Sequence, residues 1–262
     1  MSTPAAPASP PTLTEALASL PPLPSIDFSL FGEVESKPVT RIKRFTAAFL
    51  ARNWVTIPHV THQDEADITA LEALRRNHVA PSPDVKITVL PFLMKAVVKA
   101  LAQYPQFNAS LDATGANLVF KKYFHIGIAV DTPRGLLVPV IRNVDRKSIA
   151  ELSAELAAIS RKAREKGLSM DEMSGGCFSI SSLGGIGGTA FTPIINAPEV
   201  AILGVCRSFQ KPMPNRDDPQ RIDWRTMLPL SLSYDHRVID GADAARFCAS
   251  LAASLAEPES LA

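Results

Sequence analysis

The segment Leu228-Pro-Leu-Ser-Leu-Ser-Tyr-Asp-His-Arg-Val-Ile-Asp-Gly241 carries the residues best suited to chemistry. Leu228, Leu230, Leu232, Tyr234 and His236 share one parity, so on an extended strand the imidazole continues the buried face. Burial disfavours the imidazolium, which keeps such a histidine neutral at pH 7 and able to accept a proton. Asp240 follows, and Gly241 permits a sharp turn. On parity alone, a core histidine satisfied by backbone is the commoner outcome, because buried polar groups are normally just hydrogen-bonded.

A second candidate strand, Cys177–Ser182, alternates so that Phe178, Ile180 and Ser182 take one face and Ser179 and Ser181 the other. The glycine-rich run Gly184–Gly188 lacks the Gly-x-Gly-x-x-Gly spacing, and Thr189-Ala-Phe-Thr-Pro193 after it does not open a helix. That argues against a dinucleotide site. His59 and His62 fall on opposite faces of an extended segment, and with His78 and His125 they offer no metal-ligand spacing. No metal is expected.

The elements that must position these groups follow from periodicity. Helices are predicted over Arg41–Trp54, over Thr69–Asn77 opened by a Thr69-x-x-Glu72 capping box, and over Pro91–Gln103. A fourth opens at the box Ser148-Ile-Ala-Glu151 with a stripe at Ile149, Leu152, Leu156, Ile159 and Ala163, and a fifth spans Gly241–Leu255. Extended segments are expected at Pro58–Ala66, Leu118–Tyr123, His125–Val130, Leu136–Ile141, Cys177–Ser182, Glu199–Val205 and Met227–Tyr234. Strand and helix do not alternate steadily, which disfavours a doubly wound parallel sheet and points to an α+β fold. Residues 1–36 are rich in Pro and Ala, with one short helix expected at Thr12–Leu20. They read as a largely disordered tether before a folded domain at 37–262.

The chain of 262 residues is 46% hydrophobic and 20% charged, enough apolar material for a packed core. Its 27 basic and 26 acidic residues give a net charge of +1, without the basic excess of a nucleic-acid binder. Cys177, Cys206 and Cys248 are spaced 29 and 42 residues apart, which suggests a reducing, cytoplasmic setting rather than zinc or disulfide frameworks. Neither a leader pattern nor a membrane-spanning run is apparent.

Asp235-His-Arg-Val-Ile-Asp-Gly241 resembles the Asp-His-Arg-x-x-Asp-Gly signature of dihydrolipoamide acyltransferases, the core components of 2-oxo acid dehydrogenase complexes. Asn53-Trp-Val-Thr-Ile-Pro-His-Val-Thr-His62, Pro105–Ser110, Asp131–Pro139 and Phe178–Gly188 are similar to that family in the same order. The wording around Met227–Tyr234 is most similar to the acetyltransferases of bacterial pyruvate dehydrogenase complexes. The resemblance implies a chloramphenicol-acetyltransferase-like fold, a mixed sheet covered by helices, assembled as trimers with the active site between subunits. It implies that His236 is the general base, that Ser181 of a neighbouring subunit donates to the oxyanion, and that Asp240 holds the histidine loop in shape. It places coenzyme A against Arg75, Thr88, Asp131, Ser181 and Ser182, and the guanidinium fork of Arg75 suits a phosphate. Side-chain-free backbone at Gly184–Gly188 would let the pantetheine arm approach. Asp235 and Arg237 read as an ion pair that scaffolds the loop.

The family's lipoyl and subunit-binding domains have no counterpart in the tether, so the lipoyl group is expected from another domain or chain. The partners implied are that lipoyl-bearing protein and the 2-oxo acid dehydrogenase and dihydrolipoamide dehydrogenase components. Pro258 and Glu259 beside Leu261 make a poor apolar anchor, which favours free trimers over a cubic cage of 24 chains. Competing readings are a noncatalytic core component, a succinyl or branched-chain acyltransferase, and a drug acetyltransferase. The last resembles His-His-x-x-x-Asp-Gly where this chain has Asp235.

Overall fold

The computed structural model describes residues 19–77, 82, 85–215 and 217–261. The chain divides into two units, Met1–Val39 and Thr40–Ala262. In the first, Asp27 caps a 3-10 turn at Phe28–Leu30, its Oδ1 accepting from the Ser29 amide at 3.0 Å. The helix expected at Thr12–Leu20 lies outside the described residues apart from Ser19 and Leu20.

The second unit runs α1 (Arg41–Thr56), β1 (His59–Asp67), α2 (Thr69–Asn77), α3 (Val89–Gln103), β2 (Ala109–Leu111), β3 (Leu118–Phe120), β4 (Ile126–Ile128) and β5 (Val140–Ile141). It continues with α4 (Ile149–Glu165), β6 (Phe178–Ser182), β7 (Ala201–Val205), β8 (Phe209–Pro214), β9 (Ile222–Asp235) and α5 (Gly241–Ala256). Strands β1-β9-β7-β6-β4-β5 lie in that order in one mixed sheet, with β8 also paired to β9. Only the β4–β6 and β6–β7 pairs are parallel. The α+β architecture is the one the sequence predicts.

The sheet has two unlike faces. Ile128, Ile180, Leu203 and Leu232 form one row across four strands, and with Leu230 and Val205 they join the main core. Phe247 of α5 stacks on Phe107 at 4.2 Å and on Phe178 at 5.9 Å, locking helix to sheet. The opposite face carries Ser179, Ser181, Ser231 and Ser233 with Gly127 and Gly204 between them. At Gly204 only a hydrogen fits, because a Cβ would sit 2.7 Å from the Phe191 ring.

Several local expectations are corrected. Thr69 is the first residue of α2 rather than its cap: Asp67 Oδ1 accepts from the Thr69 amide at 2.9 Å, while the Thr69 hydroxyl accepts from the Thr226 amide of β9 at 2.9 Å. Glu72 therefore turns to Arg75 and no capping box forms there. The Ser148–Glu151 box does form. Pro91 is the third residue of α3, still in the first turn where its missing N–H costs no helix bond. The strand expected at Leu118–Tyr123 shortens to β3 and pairs with β2 in a separate ribbon. The strand expected at Leu136–Ile141 keeps only Val140–Ile141, with one bridge between Val130 and Leu137. Strand β8 escaped prediction because Pro212 and Pro214 argue against a ladder, yet it is an edge strand, where proline is tolerated.

A polar cluster lies inside this unit. The Glu199 carboxyl is buried (4% exposed), and Asn196 Nδ2 donates to its Oε1 at 3.4 Å. The same Nδ2 lies 3.4 Å from Ser179 Oγ, Lys121 and Cys177 are the ionisable neighbours, and Oε2 has no partner. Burial pushes the carboxyl from 4.5 up to about 7, lowers the Lys121 ammonium and raises the Cys177 thiol. A raised acid contributes stability that is fully present below its unfolded value and lost as pH rises through about 7. We expect that loss to be about 3 kcal/mol between pH 4.5 and 8, and Glu199→Gln to remove it. Urea unfolding of both proteins across that range tests this, and parallel pH profiles would contradict it.

Candidate active site

Strand β9 ends at Asp235, and the reason is local. The Asp235 carbonyl accepts from the Val238 and Ile239 amides, both at 3.0 Å, so the chain turns. Its carboxylate, 2% exposed as a residue, takes a two-pronged bond from Arg237: Nε to Oδ1 at 2.9 Å and Nη2 to Oδ2 at 2.6 Å. The Arg237 amide also donates to Oδ1 at 3.0 Å. A carboxylate removed from water needs this pairing. The Asp235–Arg237 scaffold expected from the sequence is present.

His236 sits on this turn and is exposed in the single chain, which corrects the buried placement drawn from parity. Parity holds only while the strand continues, and the turn at Asp235 ends it. The His236 amide donates to the Pro58 carbonyl at 3.1 Å, tying the turn to the start of β1, and its ring lies 5.8 Å from that of Tyr234. Asp240 is the N-cap of α5, its Oδ1 accepting from the Asp243 amide at 2.8 Å. It anchors the far end of the turn to a helix.

The turn rests on a shelf, Ile195–Val200, that sequence reasoning missed. The Asp235 amide donates to the Val200 carbonyl at 2.9 Å. The Ile195 amide donates to His59 Nε2 at 3.0 Å, and His59 Nδ1 lies 2.8 Å from the Ile57 carbonyl, which fixes His59 as the neutral Nδ1–H tautomer. Buried Asn53 donates to the Ile195 carbonyl at 2.9 Å. Asn53 and His59 stood out in the sequence only as members of the family-like run Asn53–His62, which gave no pointer to Ile195. A pocket of about 560 Å³ borders the shelf and the turn, lined among others by Arg52, Asp112, Glu199 and Arg237.

Ser181 is half-buried and Ser182 exposed at the C-terminal end of β6. Asp131, also exposed, follows the parallel strand β4, whose extension runs beside β6 through the Ala129 amide to the Ile180 carbonyl at 2.9 Å. These three residues therefore share one end of the sheet. Thr88 is the N-cap residue of α3 with its hydroxyl unused for capping. Arg75 lies nearby through Nη1 to the Ile87 carbonyl at 3.1 Å, but its fork already grips Glu72, with Nε to Oε1 at 3.1 Å and Nη2 to Oε2 at 2.7 Å. These three bonds leave two of the five guanidinium N–H donors.

The serine and the histidine stand at opposite ends of the sheet. Ser181 pairs with Gly204, Gly204 with Ser231, and His236 lies five residues beyond Ser231. Two strand spacings and five extended residues put their backbones about 19 Å apart. Among the described residues no group of three or more His, Cys, Asp or Glu is placed to hold a metal ion. His78 lies outside them.

Residues 31–262 match the family model for 2-oxoacid dehydrogenases acyltransferase (catalytic domain). The chain is 59% identical over 228 residues to the dihydrolipoyllysine-residue acetyltransferase component of the pyruvate dehydrogenase complex of Cupriavidus necator, covering 86% of this chain and 40% of that protein. A crystal structure used to probe a serine, a histidine and an asparagine in the mechanism of Azotobacter vinelandii dihydrolipoamide acetyltransferase superposes with a TM-score of 0.88. It is 54% identical and covers 92% of this chain and 99% of that one. The cubic core of a pyruvate dehydrogenase multienzyme complex gives the same four values. Chloramphenicol acetyltransferase, at 14% identity and a TM-score of 0.51, shares the fold. With the matched family model spanning the second unit entire, the chain belongs to the 2-oxoacid dehydrogenase acyltransferases, of which it carries the catalytic domain.

Proposed function

We propose that this chain moves an acetyl group between a dihydrolipoyl thioester and coenzyme A at a site built from His236 of one copy and Ser181 of another. The carrying observation is the separation of about 19 Å within one chain, which no side-chain rotation closes onto a single carbonyl. Two copies supply what one cannot. Acetyl is favoured over larger acyl groups by the names of the relatives, which are acetyltransferases of pyruvate dehydrogenase complexes.

In the reaction, neutral His236 takes the proton from the coenzyme A thiol, or from dihydrolipoamide in the reverse direction. The thiolate attacks the thioester carbonyl, and the tetrahedral oxyanion accepts a hydrogen bond from the Ser181 hydroxyl. Collapse expels the other thiolate, which takes the proton back from the imidazolium. Asp240 holds the turn by capping α5. Coenzyme A runs along the end of the sheet that carries Ser182 and Asp131, with Thr88 and the two free N–H donors of Arg75 toward its polar end. Backbone at Gly185 and Gly187, where an added Cβ would meet nothing within 4 Å, leaves room for the pantetheine arm.

The lipoyl group comes from another domain or chain, and the dehydrogenase and dihydrolipoamide dehydrogenase components are the partners. A cytoplasmic setting agrees with three buried free thiols. A trimer is a closed ring that places one such shared site at each interface, and the relative seen in a cubic core supports assembly beyond it. Leu261 is 3% exposed and packs into its own chain's core, so its expected weakness as an anchor no longer argues against a cage.

His236→Ala and Ser181→Ala should each lower kcat for acetyl transfer from acetyl-CoA to dihydrolipoamide, the first by roughly 10²–10⁴-fold. Co-expressed in equal amounts, the two variants should regain about a quarter of wild-type activity, because that share of interfaces pairs an intact histidine with an intact serine. Absence of complementation would place both groups in one chain's site. Light scattering after size exclusion should give a mass that is a multiple of three chains, and an active monomer would overturn the intersubunit site.

A further inference from the structure

We propose that Glu199 is a positioning residue for His236, its buried carboxyl bracing the Ile195–Val200 shelf between the serine strand β6 and the turn that carries the base. The proposal rests on the reading of His236 as the general base. It concerns a residue that touches no substrate atom and acts through the backbone.

The bracing is visible from both sides. Toward β6, the carboxyl is linked to Ser179 through Asn196, whose Nδ2 reaches both Ser179 Oγ and Glu199 Oε1 at 3.4 Å. Behind it, Gly176 leaves the space that Oε1 fills, since a Cβ there would lie 2.7 Å from that oxygen. Beneath it, the Ser110 hydroxyl donates to the Pro198 carbonyl, and Lys121 Nζ donates to that same hydroxyl at 2.7 Å. Toward the turn, the next residue, Val200, is 2% exposed and gives its carbonyl to the Asp235 amide. The side chain thus fixes one end of a two-residue lever whose other end holds the residue before His236.

A surface role would not need such a site. An acid 4% exposed with one oxygen unpartnered is costly to keep, and an apolar residue could fill the volume more cheaply. What an apolar residue could not do is hold Ser179 and Asn196 in register with the shelf. Shape and hydrogen bonding carry the function rather than charge, because burial favours the neutral acid and the neutral amide has the same outline.

The test uses the assembled full chain at pH 6.5 with acetyl-CoA and dihydrolipoamide, together with the rate at which diethyl pyrocarbonate modifies His236, read by peptide mass with His62 as internal control. Glu199→Ala should lower kcat by about tenfold or more with KM for acetyl-CoA within about threefold. It should also change the His236 modification rate while leaving that of His62 alone. Glu199→Gln should restore both to within about twofold of wild type. Should Glu199→Ala fail to assemble, Ser179→Ala withdraws one brace without emptying the site and should move both readings in the same direction. An unaltered kcat, an unaltered His236 rate, or a glutamine variant as impaired as the alanine one overturns the proposal. Wild-type chain without acetyl transfer would instead refute the function, and the modification rates would still decide the positioning.

Discussion

The Asp235 carboxylate is withdrawn from water at the last residue of the longest strand, and much of the site follows from how that charge is held. Its two oxygens are taken by the Arg237 fork and the Arg237 amide, its backbone N–H by Val200, and its carbonyl by two amides of the turn. With every group of one residue committed, the chain has a single way to leave β9. Removing Arg237 would cost more than the pair contributes, because the buried Asp235 charge would be left behind without its partner. The histidine is aimed by this neighbour and makes few contacts of its own.

The same sheet that aims the histidine keeps the serine away from it. Antiparallel pairing of β9 with β7, and parallel pairing of β7 with β6, place the end of β9 against the start of β6. Ser181 lies near the finish of β6, so topology alone assigns the two groups to opposite ends. On the proposed intersubunit reading, each chain would serve two sites, giving a base to one and an oxyanion donor to the other. The serine-rich face runs between those ends, and it is rigid: Thr61 bonds Ser233 across strands at 2.7 Å, and Phe191 closes over Gly204.

How much of this was legible in the sequence depended on whether a signal was local. The Ser148 box, the stripe of α4 and the shared core face of Leu228, Leu230, Leu232 and Tyr234 all report the environment of their own segment, and each reappears in the structure. Thr69 misled because its hydroxyl is claimed by β9, more than a hundred residues away, and a tertiary partner outbid the local cap. The two prolines of β8 hid a strand whose outer edge needs no N–H. At the candidate site, the motif singled out His236, Asp240 and Ser181, but the alternation that drew attention to the histidine also buried it wrongly. The shelf was illegible: Asn53, His59, Asn196 and Glu199 matter through contacts with Ile195, Ser179 and one another, and no spacing in the chain encodes those.

The exposure of His236 bears on when the base becomes competent. Loss of solvent favours the neutral, proton-accepting form of an imidazole. Among the described residues of the single chain, His236 is exposed. On the intersubunit reading, the surface that brings Ser181 to the carbonyl also removes water from the imidazole, so assembly would supply the oxyanion donor and the desolvation in one event. Electrostatic stabilisation of an oxyanion is likewise strongest where water is excluded. On that reading a lone chain lacks the second group and the medium in which the first one works, and the proposed mechanism ties catalysis to assembly by the physics of the base as well as by the geometry of the sheet.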